Sequence, residues 1–267
     1  MPGITHRLRL AGTTLITALA VLAAILTASP AQAAAAKYVA LGDSYSSGVG
    51  TREYLADDGC YRSRYAYPYK AAAEIGATLS FQACSGAKTA DVLSKQLGTL
   101  AADTNLVTIT IGGNDAGFSS VITQCAKPWP YTCTKEIAAA NAFIRDTLPG
   151  RLNNVYDQIR AKAPNARVVV VGYPRLFNGE TCNALARLSA GEQSELNKTA
   201  DLLATTTKGR ASAYGYSFAD PRDPFEGHQV CDDSEWINGL SNPIIESYHP
   251  NRNGQTAYTG LVKPFLV

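Results

Sequence analysis

The sequence predicts an α/β protein: a parallel sheet with helices packed on both faces. Three observations predict it. The runs Lys37 to Leu41, Leu106 to Ile111 and Arg167 to Val171 are largely apolar, the last two rich in β-branched residues, as strands buried on both faces are. Segments of helical spacing alternate with them. Each run also closes on a glycine, Gly42, Gly112 or Gly172, where a chain leaving a sheet edge must turn.

The elements follow in chain order. Residues 1–33 read as a secretory leader, with His6, Arg7 and Arg9 first, then an apolar stretch from Leu15 to Leu26, then Ala31-Gln32-Ala33 as a small-residue cleavage site. The stretch is shorter than the ~20 residues a spanning helix needs. Residues 34–267 then make one domain of about 230 residues, enough for a full core. Lys37 to Leu41 is the first strand and Tyr67 to Ile75 an alanine-rich helix. Thr78 to Ala83 is a second strand. Ala90 to Leu100 places Val92, Leu93, Leu97 and Leu100 on one helical face.

Leu106 to Ile111 is the third strand. Lys135 to Ala161 is a long helical pattern that Pro149 breaks or kinks. Arg167 to Val171 is the fourth strand. Ser189 to Thr206 is a helix opened by a capping box of Ser189 and Glu192. Tyr214 to Ala219 is a last strand, Pro221 to Pro250 a long loop region, and Gly254 to Phe265 a closing helix.

Charge and cysteine content restrict the function. The chain has 24 Lys+Arg and 22 Asp+Glu, and the leader removes two arginines and no acids, leaving 22 of each. No basic excess remains to draw nucleic acid or an anionic membrane. All six cysteines lie after the leader, and an even count in an exported chain implies disulfides. Sequence neighbours are the expected pairs: Cys60–Cys84, Cys125–Cys133 and Cys182–Cys231. The rival is a zinc site using His228 and Cys231, although the chain has no Cys-x-x-Cys pair. One disulfide-tied domain of this size is expected to be a monomer.

Two polar motifs follow strands. Ser44 lies just past the first, in Gly42-Asp43-Ser44-Tyr45-Ser46-Ser47-Gly48, and Asn114 just past the third, in Gly112-Gly113-Asn114-Asp115. In a parallel sheet both reach the carboxyl edge, where ligands bind. A serine hydroxyl needs a base to take its proton and donors for a developing oxyanion. Ser44 reads either as that nucleophile or as a helix N-cap. Asn114 reads either as an oxyanion donor or as the cap of an Asx-turn.

After the leader, His228 and His249 are the imidazoles that remain. His249 is favoured as base, because the following Pro250 holds it in an extended or turn conformation near the C-terminus. His228 sits in a polar loop without a motif. Asp43 and Asp115 read as structural. Tyr45, Phe118 and Phe177, beside sheet-end motifs, are candidates for an acyl pocket or for ordinary core packing.

Gly42-Asp43-Ser44, Gly86, Gly112-Gly113-Asn114-Asp115 and His249-Pro250 together resemble, in order, the four blocks of the SGNH hydrolase (GDSL esterase/lipase) family. The resemblance spans nearly all of the chain after the leader and is strongest to the family's secreted bacterial lipases and phospholipases. It implies a three-layer α/β/α sandwich with a flavodoxin-like parallel sheet. It also implies Ser44 as nucleophile, His249 as base, and an oxyanion hole of the Ser44 N–H, the Gly86 N–H and the Asn114 amide. Gly86 reads otherwise as a turn glycine after Cys84-Ser85.

The family usually carries an aspartate three residues before the base, and here that position is Glu246. The expected orienting group is instead the main-chain carbonyl of Ser247, with the Glu246 side chain as the alternative and a solvated loop acid as its plain reading. The implied activity is hydrolysis of fatty-acid esters through an acyl-serine, without metal or organic cofactor. Its substrate would be a lipid or fatty ester, with no stable insertion into a membrane. Phospholipase A-type cleavage is the near alternative and deacetylation of polysaccharide a more distant one. A non-catalytic binder of acylated ligands is the alternative from another class. A two-lobed solute receptor would need a longer chain.

Overall fold

A computed structural model describes residues 34–127, 130–182 and 188–267. The expected leader, residues 1–33, lies outside the described residues. Residues 36–267 form one contact unit.

Among the described residues, five strands build one sheet: β1 (Lys37–Gly42), β2 (Thr78–Phe81), β3 (Leu106–Thr110), β4 (Arg167–Val171) and β5 (Ser217–Ala219). All neighbours are parallel, in the order β2-β1-β3-β4-β5. The direction of winding reverses between β1 and β3, which makes the crevice beyond their carboxyl ends the switch point. In register, Leu41 pairs with Ile109 and Gly42 with Thr110. Both polar motifs therefore leave the sheet side by side.

Strand side chains alternate between two apolar clusters. Tyr38, Ala40, Val169 and Val171 pack on one side with Tyr67, Ala71 and Ala72 of helix Tyr67–Ile75 and Tyr258 and Val262 of helix Arg252–Val262. Val39, Leu41, Val107, Ile109, Val168 and Val170 pack on the other with Leu148, Leu152, Val155 and Ile159 of helix Leu148–Lys162. A strand covered on both faces has no polar face to show, which is why these runs read as unbroken apolar stretches. This is the three-layer α/β/α sandwich expected from the sequence.

Several boundaries differ from expectation for local reasons. The long helical pattern is two helices, Thr134–Asp146 and Leu148–Lys162. Pro149 falls in the first turn of the second, where its missing N–H costs nothing, so the break comes at Thr147. The 90–100 segment is irregular: a short α-turn (Thr89–Asp91), a π-turn (Val92–Gln96) and a 3-10 turn (Leu97–Thr99). It delivers the Gln96 amide onto the Gly42 backbone, accepting from its N–H at 2.8 Å and donating to its carbonyl at 2.9 Å.

The fourth long helix runs over Ala190–Ala213, past the expected end at Thr206. It closes in a turn at Tyr214 and Gly215 that takes up the start of the expected last strand, leaving only Ser217–Ala219 as strand. Its Ser189/Glu192 capping box forms. Helix Phe118–Cys125 is not among the expected elements; it opens on Gly117, which has no side chain to cap it, and half of its residues are polar. The 221–250 region is mostly irregular, with one 3-10 turn, Ile244–Glu246. Disulfides join Cys60 to Cys84, Cys125 to Cys133 and Cys182 to Cys231. Cys231 is thus not available as a thiolate beside His228. No helix among the described residues is long and apolar enough to cross a membrane.

Candidate active site

The chain leaves β1 at Gly42 and enters the short helix Ser44–Ser47. Asp43, and not Ser44, is its N-cap: the Oδ1 atom accepts the Tyr45 N–H at 3.0 Å. The other carboxylate oxygen, Oδ2, accepts from the Tyr173 hydroxyl. Burial raises the Asp43 carboxyl to about 7 against the pull of these hydrogen bonds. Capping by Asp43 leaves Ser44 as the first helical residue, with its N–H free of any protein acceptor among the described residues.

The imidazole arrives from the far end of the chain. His249 Nε2 lies 2.8 Å from Ser44 Oγ, and Nδ1 lies 2.9 Å from the Ser247 carbonyl oxygen. A ring bonding the carbonyl two residues behind it requires a tight turn between them. Tyr248 supplies it with φ of 60°, a left-handed conformation rare for a bulky residue. Hydrogen bonds hold that turn. The Tyr248 N–H donates to Asn238 O at 2.9 Å, and the Tyr45 hydroxyl donates to Tyr248 O at 2.8 Å. The Asn238 side-chain amide donates to Gly50 O at 3.0 Å and Glu246 O at 3.2 Å. Such strain costs about 1–3 kcal/mol and persists only where its surroundings impose it.

The Ser247 carbonyl accepts from Nδ1–H, which leaves Nε2 as the bare nitrogen facing the Ser44 hydroxyl. Burial pushes the His249 ring down to about 4, against the raising effect of the Ser247 bond. The ring is therefore neutral at pH 7, the state a proton acceptor needs.

Glu246 does not reach this ring through a hydrogen bond. One carboxylate oxygen accepts from the Tyr54 hydroxyl, and the other has no partner among the described residues. At 1% exposure it is not the solvated loop acid of the plain sequence reading; folding of the 238–250 loop encloses it.

Asn114 and Gly86 line the same cavity as Ser44 and His249. Asn114 Nδ2 donates one hydrogen to Ala87 O at 3.1 Å, which orients the amide and leaves its second hydrogen available. Gly86 has φ of 75°, and a Cβ placed there would meet open space. Its glycine character follows from that left-handed conformation, and its N–H has no protein acceptor among the described residues. Asp115 lies apart from the chemistry. It accepts from the Thr89 N–H at 2.9 Å, the Thr89 hydroxyl at 2.6 Å and Arg151 at 3.1 Å.

The cavity holds about 450 Å³ and is walled mainly by apolar groups. Tyr45 and Phe118 belong to its wall, whereas Phe177 does not: it is buried in the core, 5.8 Å ring to ring from Tyr248. Ile122, Leu176, Leu240, Ile244 and Ile245 also belong to the wall, and none of these was legible as a site residue. Ser44 is only 7% exposed, whereas Ile244, at 70%, stands out from the rim. His228 lies outside this cavity. Its ring stacks on Trp236 at 3.7 Å, with Nδ1 2.7 Å from Ser234 O.

The fold and the site together define an α/β/α hydrolase of the flavodoxin-like type, with its polar residues gathered at the sheet switch point. The chain belongs to the GDSL-like lipase/acylhydrolase family, whose model matches residues 40–257. It is 48% identical over 259 residues to Lipase 1 of Streptomyces coelicolor, covering 94% of this chain and 96% of that protein. The crystal structure of an extracellular lipase from Streptomyces rimosus superposes with a TM-score of 0.82 at 43% identity, covering 86% of this chain and 99% of that one. That of phospholipase A1 from Streptomyces albidoflavus gives 0.81 at 45% identity, covering 87% and 98%.

Proposed function

We propose that this protein is a secreted lipase/esterase that hydrolyses fatty-acid esters through an acyl-Ser44 intermediate. The observation that carries the reading is the 2.8 Å contact of His249 Nε2 with Ser44 Oγ at the wall of an apolar cavity. Membership of the family makes the chain a carboxylic ester hydrolase.

The acyl chain lies among Phe118, Ile122 and Leu176. Ser44 Oγ attacks the ester carbonyl as His249 Nε2 takes its proton, and the Ser247 carbonyl steadies the charged ring through Nδ1–H. The oxyanion accepts from the Ser44 N–H, the Gly86 N–H and Asn114 Nδ2. Collapse expels the alcohol, which takes the proton from His249. A water then repeats the sequence on the acyl-enzyme and releases the fatty acid.

The substrate is a lipid or fatty ester, met outside the cell after removal of residues 1–33. The balanced charge of residues 34–267 supports neither nucleic-acid binding nor a stable hold on a membrane, and the protein acts as a monomer. Phospholipase A-type cleavage is the second reading, favoured by the likeness to the Streptomyces albidoflavus phospholipase A1.

A fluorophosphonate probe tests the nucleophile: labelling is expected in the wild type and lost in Ser44→Ala. Undiminished labelling or hydrolysis in that variant refutes the acyl-serine mechanism. A panel of p-nitrophenyl esters of rising length, run beside triacylglycerol and phosphatidylcholine, separates the two substrate readings.

A further inference from the structure

Tyr173 is the second residue past β4 and belongs to none of the motifs that sequence reasoning singled out. Its hydroxyl stands between two of them. It accepts the Gly113 N–H at 3.1 Å and donates its own hydrogen to Asp43 Oδ2. Asp43 caps the helix that begins with Ser44, and its own N–H donates to Thr110 O at 3.0 Å. Gly113 immediately precedes Asn114. One oxygen therefore ties the turn carrying the nucleophile to the turn carrying the side-chain oxyanion donor, across the ends of β1, β3 and β4.

The approach is close enough to govern composition. A Cβ on Gly113 would come 3.1 Å from Tyr173 Cζ and 3.2 Å from its hydroxyl oxygen. The second glycine of Gly112-Gly113 thus makes room for this phenol. The ring packs edge-on against Tyr45 with centroids 5.0 Å apart and also lines the cavity.

We infer that Tyr173 is a positioning residue for acyl transfer: its hydroxyl bridges Gly113 and Asp43 and so fixes the Ser44 N–H and the Asn114 amide as one rigid oxyanion cradle. Burial and the neighbouring Asp43 charge raise the phenol well above its ordinary value, so it keeps the hydrogen it donates throughout the neutral range. A preorganised cradle matters because donors that must reorient during the reaction give up much of their stabilisation. The inference rests on the acyl-serine reading above.

Tyr173→Phe removes the bridging oxygen and keeps the ring that walls the cavity. Expected is a fall in kcat of about tenfold on p-nitrophenyl butyrate, smaller than the ~10²–10³ seen when an oxyanion donor itself is removed. KM should stay within about twofold and fluorophosphonate labelling should slow in parallel, both measured well below the variant's melting temperature. Gly113→Ala, which pushes the phenol away without deleting it, should also lower kcat. It serves as the second probe should Tyr173→Phe fold poorly.

Unchanged kcat in a variant that merely melts earlier would assign the hydroxyl to stability alone and overturn the inference. A raised KM with unchanged kcat would make it a substrate contact, and overturn it equally. Ser44→Ala run in parallel keeps the two claims apart. Activity surviving there refutes the acyl-serine reading. A dead Ser44→Ala beside a fully active Tyr173→Phe refutes only the positioning role.

Discussion

Replacing Glu246 by glutamine separates two ways of orienting His249. If the carboxylate steadied the imidazolium, losing its charge would act as it does when a triad acid is neutralised, a drop of about 10⁴-fold, or about 5.5 kcal/mol of transition-state stabilisation. The geometry argues for a far smaller effect. Nδ1 lies 2.9 Å from the Ser247 carbonyl, whereas Glu246 accepts from Tyr54. A glutamine carbonyl can accept the same Tyr54 hydrogen, so the 238–250 loop keeps its anchor. Expected is a kcat/KM on p-nitrophenyl butyrate within about threefold of wild type, under about 0.7 kcal/mol. Melting should be followed in parallel, because Glu246 is buried and one of its oxygens is unpartnered. A loss of about 10³-fold or more in a variant that melts like wild type would refute the backbone-carbonyl account.

Three further outcomes follow from the same geometry. The folded His249 ring, followed by NMR of its carbon-bound hydrogens, should titrate at about 4. Because the unfolded ring takes its proton at about 6.5, the unfolded chain binds more protons between those values, and this contribution to stability is lost as pH falls from about 6.5 to about 4; a folded ring titrating at 6.5 would refute the burial argument. Removing Cys182–Cys231, which spans 49 residues, should lower thermal stability more than removing Cys125–Cys133, which spans 8; the chain-entropy model puts the difference at about 1.5 kcal/mol, and equal melting shifts would contradict it. Ile122→Trp should fill part of the 450 Å³ cavity and reduce dodecanoate relative to butyrate ester hydrolysis by about tenfold, the scale on which a filled apolar pocket discriminates; an unchanged ratio would place the acyl chain elsewhere.

The central strands of the sheet can be read from composition. Strands covered on both faces must be apolar on both faces, and Val168 to Val171 or Val39 to Leu41 carry that demand in their own composition. The positions of Ser44 and Asn114 relative to strand ends were legible for the same reason, since a strand, its closing glycine and the polar residue beyond are neighbours in the chain. Packing alone decided the remainder. The group that meets His249 Nδ1 is a main-chain oxygen, and a backbone carbonyl has no side-chain signature. Glu246, enclosed as its own loop folds, meets as its partner Tyr54, 192 residues away in sequence. Tyr173 and Asn238 look like ordinary polar residues until strands and loops distant in sequence bring Asp43, Gly113, Gly50 and Tyr248 to them. Local composition reports how much of a segment is buried; which partners it meets there depends on long-range contacts that no single segment encodes.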